Sequence, residues 1–423
     1  MTPCGTATPR WSVRRSTVAQ AKTEEEKLKE RFEGPAFGCF SSRHKFCREI
    51  CPIYQVTRNE SHTSYGFHAS MVAIARGLAS VADVAADFRF CTMCGACENR
   101  CPNTLFTGDF YRNRTRTIDL VRNVRAAAHN LGISDPAWQD WNKKTLLHKN
   151  EPVWEGPKPQ PDDWARELNL PKGGETILFC DCEAAHHRTS VPQAIARLLQ
   201  TAGVPFGLMY EQWCCGGPAY EMGFIDQART FASHNVQDWR RAGAKRIICV
   251  DPHDYIHFTE DYPNLLGHDA MRDFEIVHIV ELLDELIQDG RIELTEPIPL
   301  RVTYHDPCRL NKRKGIHEAP RRILRAIPGL DFVDVDHVTQ WAFCSGGGGG
   351  VPIALPELAK EISSRRIRKA EELQVDALVS ACVWAERPLS ERQADGTTNL
   401  RIYDIVELVA VSAGVLDGSR IGL

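Results

Sequence analysis

In the second half of the chain, short apolar runs alternate with amphipathic segments of helical length. An apolar run at 176–180 is followed by two helix-like segments and by a second apolar run at 245–251. The same order recurs where apolar runs at 300–304 and 375–382 enclose two more helix-like segments. The four predicted helices are 192–202, 225–242, 319–326 and 356–373. Short strands that alternate with helices are typical of parallel α/β units, so the repeat predicts a duplicated α/β module over residues 172–416.

The first half of the chain has a different pattern. Residues 1–34 are polar and charged, which predicts a solvated tail leading into a surface helix. Residues 67–88 are rich in Ala and Val at helical spacing and predict a helix–loop–helix between two groups of cysteines. Five prolines between 143 and 174 predict a linker that lies on the surface. The predicted segments are an extension at 1–34, a helical domain at 35–115, a linker at 116–171, and modules at 172–298 and 299–416. We therefore predict an α+β multidomain fold, in which a mainly helical domain precedes the duplicated α/β module.

Charge and cysteine content narrow the class of protein. The 423 residues carry 51 Lys and Arg against 55 Asp and Glu, so no basic excess exists to neutralise nucleic-acid phosphates. No run of about 18 apolar residues is present, so we expect no membrane-spanning helix. The first residues lack the apolar core of a signal peptide. The 16 cysteines are therefore expected to be cytoplasmic thiols, which serve as metal ligands more often than as disulfides.

Four of the cysteines follow the pattern C-x2-C-x2-C-x3-C-P. Its spacing lets Cys91, Cys94 and Cys97 wrap one iron–sulfur cube. The fourth, Cys101, precedes a proline and points to a second cluster. A structural zinc site uses paired C-x2-C motifs instead. The pattern therefore predicts a pair of ferredoxin-type iron–sulfur clusters.

A second run supplies the ligand that the first cluster lacks. In Cys47-Arg-Glu-Ile-Cys51-Pro, the later cysteine has the same C-x3-C-P context as the fourth cysteine of the first run. Paired runs of this kind exchange that ligand between their two clusters. The first cluster is thus predicted to be a 4Fe–4S cube held by Cys51, Cys91, Cys94 and Cys97.

The second ferredoxin-type cluster departs from the usual pattern. Cys47 and Cys101 are in place, but Ser41 and His44 occupy the positions of the other two cysteines. Cys39, two residues earlier, is predicted to replace one of them. For the fourth ligand three alternatives stay open: His44, another residue, or no ligand, which gives a 3Fe–4S cluster.

Each α/β module carries a cysteine motif of its own. In the first, Cys182 is followed after 31 residues by Cys214-Cys215-Gly-Gly-Pro. In the second, Cys308 is followed after 35 residues by Cys344, a serine and a glycine run. These motifs resemble the twin-cysteine (CCG) domain of heterodisulfide reductase iron–sulfur subunits. The domain order resembles a fusion of the small ferredoxin subunit and the large cluster subunit of that enzyme, and is similar to the iron–sulfur subunits of glycolate and lactate oxidation systems.

The resemblance implies five cysteines in a complete domain, the last two in a C-P-x-C motif. Here that motif reads Asp251-Pro-His-Asp254 in the first module and Cys382-Val-Trp-Ala385 in the second. Neither module keeps the five thiolates that hold the family's disulfide-cleaving, non-cubane clusters. We predict one or two cubane clusters instead, with ligands Cys182, Cys214, Cys215, Asp251 and Asp254 in the first module and Cys308, Cys344 and Cys382 in the second. The alternative for the two Asp is a degenerate site in which they are solvated turn residues.

Other residues near these motifs have simpler interpretations. The glycine run at 346–350 lacks the Lys-Ser/Thr ending of a phosphate loop and predicts a close backbone approach around a cluster. Cys180 and Cys249 are predicted to be buried strand cysteines. His253 and His305 adjoin predicted ligands and are expected to support them rather than to bind metal.

Three functional hypotheses follow from these motifs. The chain has no G-x-G-x-x-G after a strand, so a flavin or nicotinamide would lie on a partner. The resemblance implies an iron–sulfur electron-transfer subunit of a cytoplasmic oxidoreductase complex. Its partner would be a flavoprotein dehydrogenase or an electron-transfer flavoprotein, and a quinone-reducing membrane protein would be a further partner. The alternatives are a disulfide reductase acting at an open-site cluster, and a scaffold whose modules are empty or hold zinc.

Overall fold

The computed structural model describes residues 22–101, 116–149, 160–335 and 342–423. Most of the predicted N-terminal tail and the proline-rich centre of the predicted linker lie outside these ranges. The described residues form a helical N-terminal domain followed by two α/β modules, so the predicted α+β multidomain fold is confirmed. None of the described helices is both long enough and apolar enough to cross a membrane.

The N-terminal domain consists of short helices around a small apolar core. Thr23 caps the first helix through a capping box with Glu26, which satisfies backbone N–H groups that have no partner within the helix. Phe32 on the inner face of this helix shares the core with Phe67 and Met71 of the longest following helix. The helices are Glu24–Ser42, Cys47–Ile50, Pro52–Thr57, Ser64–Ala75, Val81–Val84 and Ala96–Arg100.

The structure differs from the sequence prediction in the segment assigned to a linker. Thr117–Asn130 and Pro136–His148 form helices that pack against the rest of the protein. The first of them buries Arg122 and Arg125, and the second buries Trp138. Charged residues at inward positions weaken the apolar periodicity by which a helix is predicted, so the sequence pattern did not reveal this helix.

Three parallel strands form the sheet of the first module, in the order β1-β2-β3. They are β1 (Thr176–Phe179), β2 (Arg246–Cys249) and β3 (Glu275–His278). Ile177 pairs with Ile247, and Ile247 pairs with Ile276. The first two strands match the prediction, whereas β3 is an edge strand with only one fully buried residue and gave no apolar run. The helices are Cys182–His186, Ser190–Thr201, Gly217–Glu221, Ile225–Ala242, Pro252–Ile256, Tyr262–Leu266 and Ile279–Gln288.

The second module has a four-stranded parallel sheet in the order β5-β4-β6-β7. Its strands are β4 (Arg301–Tyr304), β5 (Asp331–Phe332), β6 (Ala377–Ser380) and β7 (Arg401–Asp404). The two central strands, β4 and β6, match the predicted apolar runs. The helices are Glu318–Ala326, Val351–Ala354, Pro356–Glu371, Val383–Ala394 and Ile405–Ser412.

One hydrophobic core continues from the first module into the second. Leu178 and Ile248 of the first sheet belong to the same buried cluster as Val302 and Val379 of the second. Within each sheet, parallel strands place their carboxyl ends at one edge, where open α/β folds bind their ligands. The predicted cysteine motifs follow the carboxyl ends of β1, β4 and β6, so the fold directs them to those edges.

Candidate metal centres

The first predicted cluster site lies between the loop before helix Ala96–Arg100 and the residue that precedes helix Pro52–Thr57. Burial raises the pKa of Cys51 and Cys97, and the nearby charges of Cys91 and Cys94 raise both further. The backbone N–H of Met93 donates to Cys91 Sγ at 3.4 Å. The structure therefore brings all four predicted thiols of this cluster together.

The second predicted cluster site groups three thiols. Burial raises the pKa of Cys39 to about 12, and the charges of Cys47 and Cys101 add to this effect. His44 is exposed, and its ring stacks on that of Phe46 with centroids 5.8 Å apart. This position favours the two alternatives in which the fourth iron has another ligand or is absent.

In the first module, the three predicted thiols lie together. The Cys214 thiol hydrogen-bonds with the thiols of Cys182 and Cys215. The backbone N–H groups of Gly216 and Gly217 donate to Cys214 Sγ and Cys215 Sγ, each at 3.4 Å. The hydrogen bond from Cys214 lowers the pKa of Cys215 to about 6 despite burial. A thiol that ionises so readily is suited to bind metal.

The two aspartates predicted as oxygen ligands occupy different places. Asp254 lies against the Cys215 thiol and so belongs to the first-module site. Asp251 accepts the backbone N–H of His253 at 2.7 Å and lies against Cys382 of the second module. Burial raises the pKa of both carboxyl groups. Asp251 is 0% and Asp254 1% exposed, so the alternative of solvated turn residues is wrong.

In the second module, Cys308, Cys344 and Cys382 line one cavity of about 300 Å³. The backbone N–H of Gly346 donates to Cys344 Sγ, and that of Ala385 donates to Cys382 Sγ, both at 3.3 Å. The three thiols come from three separate loops, as predicted. The N–H groups directed at sulfur are of the kind that tune iron–sulfur clusters.

A buried carboxylate of the first module lines the same cavity. Glu221 forms an ion pair with Arg309, and the backbone N–H of Gly349 donates to its other carboxylate oxygen at 3.1 Å. Burial would raise the pKa of Glu221, but the guanidinium groups of Arg309 and Arg122 hold it below its usual value. The Nε2 atom of His253 lies 3.7 Å from Glu221, and burial lowers the pKa of His253 to about 3. The cavity thus contains an ionised carboxylate beside a neutral imidazole.

The glycine run forms a close contact with the first cluster loop. A Cβ atom added at Gly348 would lie 2.5 Å from the carbonyl oxygen of Thr92, and one added at Gly349 would overlap the carbonyl oxygen of Cys91. The Cys344 thiol hydrogen-bonds with the Cys94 thiol. The second module and the first cluster site are therefore in direct contact at both backbone and thiols.

Arg125 joins the three parts of the protein at this contact. Its guanidinium donates to the carbonyl oxygens of Cys91 at 3.0 Å, Glu221 at 3.0 Å and Gly349 at 2.8 Å. These acceptors lie in the N-terminal domain, the first module and the second module. Sequence reasoning missed this residue, because its only signal is an arginine at an inward position of a helix.

The donor atoms fit iron–sulfur clusters. Among the described residues, no three or more His, Cys, Asp or Glu side chains converge tightly enough for a single metal ion. The predicted ligands are mainly thiols, as clusters require. Five of them accept backbone N–H groups at 3.3–3.4 Å, namely Cys91, Cys214, Cys215, Cys344 and Cys382.

Comparison with protein-family models agrees with this arrangement. Residues 36–105 match the 4Fe-4S dicluster domain. Residues 176–259 and 302–384 each match the Cysteine-rich domain, CCG. The predicted order of one ferredoxin-type domain and two CCG domains is confirmed.

Curated relatives share most of the chain. The chain is 30% identical over 333 residues to one of the subunits of Dihydromethanophenazine:CoB--CoM heterodisulfide reductase from Methanosarcina mazei, with 78% of each chain covered. It is 26% identical to EtfAB:quinone oxidoreductase from Syntrophomonas wolfei, over 75% of this chain and 45% of the relative. It is 27% identical to one of the subunits of Fumarate reductase (CoM/CoB) from Methanothermobacter marburgensis, over 75% of this chain and 60% of the relative. A crystal structure of a hypothetical protein from Helicobacter pylori shares the fold, with a TM-score of 0.55, 12% identity, and 94% of this chain and 78% of the other covered.

Proposed function

The chain belongs to the family of this heterodisulfide reductase iron–sulfur protein, and we propose that it acts as the iron–sulfur electron-transfer subunit of a multi-subunit oxidoreductase. Clusters of this type supply one-electron transfer when bound. The protein would hold them and fix their order. We assign one 4Fe–4S cluster to Cys51, Cys91, Cys94 and Cys97, a second ferredoxin-type cluster to Cys39, Cys47 and Cys101, and further clusters to the thiols of the two modules.

The contact between Cys94 and Cys344 carries the proposal. Because these two thiols touch, clusters bound at their sites would be neighbours, and the second module would be the exit from the ferredoxin-type pair. The charge of Cys47 also acts on Cys97, so the two ferredoxin-type sites are neighbours as well. We infer an electron path from the Cys39 site through the Cys94 site to the second module.

The surface beside the Cys39 site supports a redox partner at the start of this path. Phe37 is 50% exposed, and Phe40 and Phe46 are each 40% exposed. Lys45 and Arg100 lie over the aromatic rings on this face, 4.7 Å from the ring of Tyr65 and 5.5 Å from that of Phe46. Lys45 pairs with Glu60 and Arg100 pairs with Glu49, so the exposed rings form an apolar patch with a rim of paired charges, which suits a docking partner.

We propose a flavoprotein dehydrogenase or electron-transfer flavoprotein as this partner, in the cytoplasm. The relative EtfAB:quinone oxidoreductase carries such a flavoprotein in its name, and a quinone-reducing membrane protein is proposed as the further partner. Disulfide chemistry is the second candidate function, and the cavity of about 300 Å³ beside Cys308, Cys344 and Cys382 favours it. In that case Glu221 and His253 would face the substrate.

One experiment separates the two functions. The anaerobically purified chain is mixed in a stopped-flow instrument either with a reduced electron-transfer flavoprotein or, in the presence of excess dithionite, with a low-molecular-weight disulfide. An electron-transfer subunit takes electrons from the flavoprotein rapidly and leaves the disulfide largely intact. Rapid, repeated reduction of the disulfide by the isolated chain, above the rate with dithionite alone, would contradict the proposal and favour the reductase.

A further inference from the structure

Lys312 is a buried lysine that has no ion-pair partner among the described residues. It is 3% exposed, and its Nζ atom makes no hydrogen bond within the part of the chain that the structure describes. The other cations of the same helical turn are paired, Arg309 with Glu221 and both Arg313 and Lys314 with Glu260. Lysine is rarely buried without a compensating charge. We therefore expect an anionic group beside the Lys312 ammonium.

The backbone holds Lys312 at the junction of two predicted clusters. The residue lies four positions after Cys308, in the helical turn Arg309–Lys314. Its carbonyl oxygen accepts the Asn99 side-chain N–H at 2.9 Å, and Asn99 belongs to the helix that carries Cys97. The second module and the first cluster loop are therefore joined at this residue.

The charge of Lys312 acts on thiols of both sites. Its ammonium favours the thiolate form of Cys94, Cys308 and Cys344. These three side chains belong to one cluster of packed residues. An iron–sulfur cluster held by these thiols would be the missing anion, because a thiolate-ligated cluster carries net negative charge.

We propose that Lys312 is a positioning residue for electron transfer, which compensates the charge of the two neighbouring clusters and sets their reduction potentials. The inference rests on the proposed function. A cluster gains negative charge when it accepts an electron, so a nearby cation stabilises the reduced state. Lys312 would thereby raise both potentials together.

The test is a redox titration of the complete chain followed by EPR, with variants that separate charge from shape. In Lys312→Met, the ratio of reduced to oxidised cluster at a fixed potential is expected to fall roughly tenfold at both sites. Lys312→Arg keeps the charge and should retain most of the wild-type ratio. Lys314→Met is the matched control, because Lys314 is part of the same turn but pairs with Glu260 at 3.3 Å, and it should leave both ratios unchanged.

The outcomes distinguish this role from a structural one. Unchanged potentials in Lys312→Met, or an equal shift in Lys314→Met, would overturn the proposal while the electron-transfer function stands. Loss of iron in Lys312→Met but not in Lys312→Arg would support it, since Lys312→Arg keeps the positive charge that Lys312→Met removes. Loss of iron in both variants would mean that the position is structural and would overturn it. A wild-type second module without iron would overturn the proposed function as well.

Discussion

Replacing Gly349 by alanine tests the contact between the second module and the first cluster loop. A Cβ atom at this position would overlap the carbonyl oxygen of Cys91 and lie 2.9 Å from two backbone atoms of Thr92. Gly349 also has a φ angle of +67°, which alanine adopts at a cost of about 1–2 kcal/mol. Relief of the overlap adds about 1–3 kcal/mol. We expect the local contact to lose about 2–5 kcal/mol in total.

Two control variants separate these contributions. Gly396 has a φ angle of +76° with no atom within 4 Å of an added Cβ, so Gly396→Ala has only the backbone cost. A Cβ at Gly348 lies 2.5 Å from the Thr92 carbonyl oxygen, and its φ is outside the left-handed region, so Gly348→Ala has only the overlap cost.

Hydrogen exchange of the peptide that contains residues 91–97, followed by mass spectrometry, measures the local effect. Gly349→Ala should lower the protection of this loop by about 30-fold or more. Gly348→Ala should lower it less, and Gly396→Ala should leave it unchanged. The reasoning would be refuted if Gly349→Ala protected the loop as well as the wild-type protein does.

Three further predictions concern the clusters, the pH dependence and the docking face. Cys94→Ser should remove about four irons per chain, measured by iron analysis; an unchanged iron content would contradict the assignment. Burial lowers the pKa of His278 to about 3, against about 6.5 when unfolded, so its contribution to stability is complete above pH 6.5 and decreases as the pH falls towards 3. Between pH 6.5 and 5 the free energy of unfolding loses about 2 kcal/mol from this residue. His278→Asn keeps an acceptor for the Val280 N–H and should abolish this loss, as measured by urea unfolding at each pH. The same dependence of the unfolding free energy on pH in the wild-type protein and the variant would count against it. Phe46→Ser should slow electron transfer from a flavoprotein while leaving the iron content unchanged, whereas Leu147→Ser, in helix Pro136–His148 at a residue that is 74% exposed, should not slow it.

The sequence predicted the parts of the fold whose signal is local. The cysteine spacings and the strands β1, β2, β4 and β6 were recognisable because ligand spacing and runs of buried apolar residues leave a mark within a few residues. The edge strands β3 and β5 are short and partly exposed, and they left no such mark.

The contacts between distant segments were not predictable from the sequence. Asp251 was assigned to the first module from its place in a degenerate motif, yet it also lies against Cys382, 131 positions later. Arg125 and Lys312 are buried, although a charged residue in the sequence is ordinarily expected to lie at the surface. Their roles depend on how three separately encoded units pack, and one sequence contains no signal for that packing.

The central claim is that the clusters of the Cys94 site and the second module are neighbours in one electron path. It is tested most directly by low-temperature EPR of the fully reduced, anaerobically purified chain, compared with its Cys308→Ser variant. We expect the wild-type spectrum to show magnetic interaction of the Cys94-site cluster with a second-module cluster, in addition to any interaction within the ferredoxin-type pair, and we expect the variant to keep only the interaction within that pair. A wild-type spectrum and iron content identical to those of the variant would contradict this order of clusters.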